Sequence, residues 1–143
     1  MTLSEGMETT FPEIFTAKNK MVTSGLLIEA AEKYFAPAIR TIDFDGIVTT
    51  GKHETMQKMK SFFGSIEKIN EIILYRMASF NDVTFAEFTF NFKIKDGRNI
   101  FWHEIVRSLW RNGQITEEQY FIGNNRCRQM TDAIRESEEN NEK

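Results

Sequence analysis

Glu104 lies in the run Ile100–Trp110, two positions from Trp102 on one side and two from Val106 on the other. In an extended strand those three side chains share a face, because alternate residues point the same way. An unpaired carboxylate among such neighbours is costly, so Glu104 must be paired, protonated or at the edge of a cavity. Each state has its own meaning. Glu104 fixes a ligand or exchanges a proton; or it pairs with Arg76 or Arg107 at a rim; or a register shifted by one residue turns His103 inward instead. Glu118 and Tyr120 repeat the pattern on one face of the short run that follows Asn112-Gly113. Two carboxyls and a phenol inside one aromatic cavity make a general acid/base set. Set against that, Glu117-Glu118 also reads as a solvated strand start beside a turn.

Other constellations are thinner. Trp102 and Trp110 suit a core or a cavity wall, and a flat apolar ligand needs such walls. His53, His103 and Cys127 are the only His and Cys residues, and their wide spacing defines no metal site. Asp43 and Asp45 in Ile42-Asp43-Phe44-Asp45-Gly46 read as turn residues, without the rest of a calcium loop. No Gly-rich phosphate loop and no Ser-His-Asp order is present, and no cofactor is expected. Net charge is −3 with both signs interspersed, so no basic stripe suggests nucleic acid. No long apolar run suggests a bilayer span, and Met1–Thr10 has no apolar leader segment. A cytoplasmic location is the expectation, and the single cysteine is compatible with it.

These residues need elements to hold them. Asn81-Asp82, Asp96-Gly97 and Asn112-Gly113 separate apolar-rich runs, and such pairs tolerate the positive φ of tight hairpin turns. Residues 70–122 therefore read as an antiparallel meander. In Thr84–Ile94 the even positions carry Ala86, Phe88, Phe90, Phe92 and Ile94, and the odd ones Glu87, Asn91 and Lys93, giving one dry and one wet face. In Ile100–Trp110 the even face has Trp102, Glu104, Val106, Ser108 and Trp110, and the odd face Phe101, His103, Ile105, Arg107 and Leu109. A strand apolar on both sides must be covered on both sides. Upstream, helices are predicted over Glu13–Val22, Leu26–Phe35 (ended by Pro37) and His53–Ile69, with a short bent strand in Thr41–Thr50. Of 18 aromatic residues 13 are Phe, which has no polar handle and suits a dry core or an apolar pocket.

The order of elements, with Tyr34-Phe35-Ala36-Pro37 closing a helix, Gly51-Lys52 before the third helix and the hairpin Trp110-Arg111-Asn112-Gly113-Gln114-Ile115, resembles the nuclear transport factor 2-like superfamily. Within it the chain is similar to SnoaL-like and ketosteroid-isomerase-like proteins. The resemblance spans roughly residues 11–123, leaving 1–10 as a flexible lead and 124–143 as a polar tail. It implies an α+β fold: a cone-shaped curved antiparallel sheet with about three N-terminal helices on its concave side, a pocket at the open end, and homodimers through the outer sheet face. Matching the final hairpin turns Trp102, Glu104, Val106, Ser108 and Trp110 inward, joined by Phe88, Phe90 and Phe92 and by Glu118, Tyr120 and Ile122. Steroid isomerases of this family use a carboxylate base, a Tyr and a second carboxyl acid. The base position matches Asp43, the second acid falls on Val106, and the Tyr falls near Lys18 or Asn19, so steroid isomerisation itself is disfavoured. The expectation is a domain that binds a small apolar cyclic or polyketide-like ligand, an isomerase, dehydratase or cyclase working through Glu104, Glu118, Tyr120 and Asp43. The competing class is a non-catalytic dimeric scaffold of the same fold. Three or more polar groups converging in a cavity favour the first; a collapsed Phe/Trp core favours the second.

Overall fold

The computed structural model describes residues 5–122, with side chains from residue 13; Cys127 and the tail after Ile122 lie outside the described residues. The chain runs α1 (Glu5–Thr23), α2 (Leu27–Tyr34), β1 (Phe35–Ile42), β2 (Val48–Thr50), α3 (Lys52–Phe63), β3 (Ile66–Phe80), β4 (Val83–Ile94), β5 (Asn99–Arg111) and β6 (Gln114–Ile122). It is an α+β fold, with one six-stranded sheet in the order β2-β1-β6-β5-β4-β3.

The β3–β6 meander turns where the sequence predicts. Asn81 and Asn112 take φ of 56° and 53°, and Gly97 and Gly113 take 97° and 78°. The sheet is mixed, however, because β1 joins β6 in parallel while every other pairing is antiparallel. Along that join the register slips between Phe35 and Arg40. Pro37 falls within the slip, where it has no N–H to give to a ladder. The helix ends earlier, at Tyr34, and Pro37 lies within the first strand.

Two helix limits differ from the sequence reading by more than one residue. α1 starts at Glu5 rather than Glu13. The residues before Phe11 carry no apolar period to mark this start, and residues 5–10 of the expected flexible lead are helix. α3 stops at Phe63, where the Gly64 N–H closes onto the Lys60 carbonyl. Ile66 and Ile69, whose spacing extends the helical stripe, belong instead to edge strand β3.

The helices cover the even-numbered face of β4 and β5. Phe15, Val22, Ala30, Ala31, Tyr34, Met56 and Phe62 pack there on Phe88, Phe90, Phe92, Trp102, Val106 and Trp110. The rings interlock: Phe90 stacks on Trp102 with centroids 5.1 Å apart, and Tyr34 meets Trp110 edge-on at 5.9 Å. No helix among the described residues is long and apolar enough to cross a membrane.

Candidate functional site

Between the helices and the sheet lies a cavity of about 170 Å³. Its apolar wall includes Phe88, Phe90, Phe92, Trp102, Val106 and Ile122 from the sheet and Leu27, Ala30, Phe62 and Phe63 from the helices. Glu104, Glu118, Tyr120 and Asp43 all open onto it, together with Lys18, Lys58, Thr41 and Thr55. Polar groups from α1, α3, β5, β6 and the β1–β2 turn thus converge in one apolar space.

Register explains the convergence. β4 and β5 pair Phe88 with Glu104 and Phe90 with Trp102, and β5 and β6 pair Val106 with Tyr120 and Ser108 with Glu118. His103 consequently points outward and binds Glu87 at 2.8 Å. Arg76 and Arg107, the rim partners considered for Glu104, bind Glu87 and Glu117 instead. Glu118 is 4% exposed, so it is no solvated strand start; the neighbouring Glu117 is half-buried and pairs with Arg40 and Arg107.

Glu118 is fully engaged. Its Oε2 accepts from Lys18 Nζ at 3.1 Å and Ser108 Oγ at 2.7 Å, and its Oε1 accepts from Tyr120 Oη at 2.7 Å. Three donors, one of them an ammonium, thus meet on its two oxygens. Burial, with the Glu118 charge beside it, holds the Tyr120 phenol well above its ordinary value, so the phenol stays a neutral donor.

Glu104 is differently placed. It is 7% exposed, and among the described residues its hydrogen-bond partner is Trp102, whose Nε1–H donates to Oε1 at 3.1 Å. Loss of solvent pushes its carboxyl up to about 7, against the pull of the Trp102 N–H and Lys18, with Glu118 and Asp43 pushing the same way as burial. A carboxyl poised near neutrality on a cavity wall can both give and take a proton.

Asp43 follows β1 and accepts from Lys58 Nζ at the cavity margin, while Asp45 Oδ1 takes the Ile47 N–H in the turn. Trp110 and Ser108 share the inner face but do not line the cavity. Phe15 and Tyr34 cover Trp110, which donates to Thr84 Oγ1 at 2.9 Å, and Ser108 serves Glu118. In the family match Lys18 falls only near the position of a tyrosine. Its signal was there: Phe15, Lys18, Asn19 and Val22 share one helical stripe, and all four are buried. No cluster of three or more metal-ligating side chains exists among the described residues.

No protein-family model matches the chain, and no curated protein matches it. Solved structures do. A candidate SnoaL-like polyketide cyclase from Mesorhizobium loti is 25% identical with a TM-score of 0.69, over 78% of this chain and 97% of that one. A protein of ketosteroid-isomerase-like fold from Catenulispora acidiphila, in complex with trimethylamine, is 21% identical with a TM-score of 0.64, over 77% and 85%. An NTF2-like protein of unknown function from Burkholderia pseudomallei is 11% identical with a TM-score of 0.68, over 85% and 95%. The chain has the nuclear transport factor 2-like fold, and its structural neighbours are SnoaL-like, ketosteroid-isomerase-like and NTF2-like proteins.

Proposed function

We propose that this domain binds a small, largely apolar ring compound in its cavity and acts on it by carboxylate acid/base chemistry, as an isomerase, dehydratase or cyclase does. The observation that carries this reading is Glu104: a buried carboxyl, held up at about 7, opening onto a cavity of about 170 Å³. Apolar cavities of about 150 Å³ take benzene, so the space suits one ring with small substituents. Glu104 is the proton-transfer group. Tyr120 is a neutral phenol whose O–H is given to Glu118, itself held by Lys18 and Ser108, so its oxygen faces a ligand as an acceptor. Asp43, fixed by Lys58, stands at the margin. Similarity to a candidate polyketide cyclase, and a neighbour complexed with a small molecule, support the ligand class. The convergence of charged and hydroxyl groups favours this reading over a purely structural scaffold.

The same reading includes a homodimer through the outer sheet face, where Ile105 and Phe121 pair across β5 and β6 and remain exposed. The test of chemistry is solvent deuterium exchange. Monocyclic enolisable ketones are incubated with the protein in D₂O and loss of the α-protons is followed by NMR. Catalysed exchange that disappears in Glu104→Gln supports the proposal. Failure of every ring compound to bind moves the reading to the dimeric scaffold.

A further inference from the structure

We infer that the cavity selects a ring compound carrying a protonated nitrogen, held between the Glu104 carboxylate and the aromatic wall. The inference rests on the cavity being a ligand site and names the class of ligand it takes. Its basis is a count of charge. Lys18 comes from α1, Lys58 from α3, Asp43 from the β1–β2 turn, Glu104 from β5 and Glu118 from β6, and Tyr120 adds a neutral phenol. The residues that α2 and β4 give to the wall are apolar. Each ammonium is already matched, Lys18 with Glu118 at 3.1 Å and Lys58 with Asp43. Glu104 is left over, with an uncharged indole N–H as its partner.

An ionised Glu104 therefore leaves one net negative charge in a space poor in water. A cationic ligand neutralises it. An anionic ligand adds a like charge, and a neutral one leaves the carboxyl to keep its proton. The wall suits the same choice. Trp102 lies 5.1 Å from Phe90 and 5.3 Å from Phe92, ring centre to ring centre, and aromatic side chains attract an ammonium through their quadrupoles. The hydroxyl of Thr55, 3% exposed and lining the cavity, has no hydrogen-bond partner among the described residues and can accept an ammonium N–H.

Cation and proton then compete for one group. With the Glu104 carboxyl at about 7, affinity for a cation is flat above that pH and falls about tenfold per unit below it. A primary ring amine stays protonated to about pH 10, so the favourable window lies between the two values. Three probes share a ring and differ in charge: cyclohexylamine, cyclohexanol and cyclohexanecarboxylate. Each is titrated calorimetrically into the full chain at about pH 8.5 and about pH 5.5. The expected result at the higher pH is that the amine binds about tenfold or more tighter than the alcohol, and the carboxylate weakest. At about pH 7 amine binding releases protons to the buffer. Glu104→Gln, checked for folding by its melt, brings amine and alcohol within about twofold of each other. Alcohol binding as tight as amine binding, without pH dependence, overturns the cation inference and leaves the apolar ligand reading standing. If none of the three binds, the ligand reading itself is lost. Should the variant fail to fold, the pH profile and the amine-to-alcohol ratio of the unaltered protein decide the matter.

Discussion

At the scale of the residue, the two inward glutamates differ only in their neighbours, and the difference predicts opposite responses to substitution. Glu118 has a buried ammonium and two hydroxyls; Glu104 has one indole. Folding raises the Glu104 carboxyl from 4.5 to about 7, so the unfolded chain loses that proton first as pH rises. Stability from this group is complete below about 4.5, declines through the window to about 7, and is flat and lower above it. Glu104→Gln should match the unaltered protein at acid pH and exceed it above neutrality, by up to about 3 kcal/mol, in denaturant melts across that range. Lys18→Met should do the reverse of stabilising. It strands the Glu118 charge, at a loss of about 3 kcal/mol, and adding Glu118→Gln should restore most of it. A Lys18→Met protein as stable as the original would mean that the pair holds no buried charge.

Among the elements, the sheet was far more legible than the helices, for a physical reason. A strand writes its faces with a period of two, and Phe88, Phe90 and Phe92 against Glu87, Asn91 and Lys93 leave no doubt of register. Hairpin turns demand positive φ and so demand Asn or Gly, which is why Asn81, Gly97 and Gly113 mark them. Helix limits depend on caps and contacts instead. Ile66 and Ile69 fit a helical stripe, yet Gly64 ends it. The parallel β1–β6 join leaves no local mark at all, since it is made by residues about eighty positions apart. The site followed the same division. Glu104, Glu118 and Tyr120 could be read as strand residues, whereas Lys18, on a helix, becomes recognisable only as the polar member of an apolar stripe. Register is testable directly. Phe90→Asp sets a charge among Trp102, Phe88 and Phe92 and should unfold the domain, while Asn91→Asp keeps the acceptor for Asn70 Nδ2 and should shift a melt by no more than about 0.5 kcal/mol. The reverse order of melting would put the wrong face inside.

For the whole molecule, the outer sheet surface alternates ion pairs with apolar side chains: Arg40 and Arg107 flank Glu117, while Phe85, Ile105 and Phe121 remain exposed. A twofold-related copy is the expected cover. Sedimentation at micromolar concentration should give a dimer, and Ile105→Lys a monomer with its cavity intact; a monomer in the unaltered protein would end the dimer proposal. The join between first and last strands reaches further than assembly. β1 can dock only when β6 exists, and Lys18 meets Glu118 a hundred residues later in the chain. Contacts of such separation are late and slow, because the entropy of closing the loop is lost before any of them forms. On the ribosome, the Lys18 ammonium and the open edge of β1 must therefore wait for nearly the whole domain to emerge. A chain cut after Arg111 should fail to fold rather than lose one strand, its far-ultraviolet spectrum that of an unfolded polypeptide, and nascent chains stalled before Ile122 should be the form that chaperones hold.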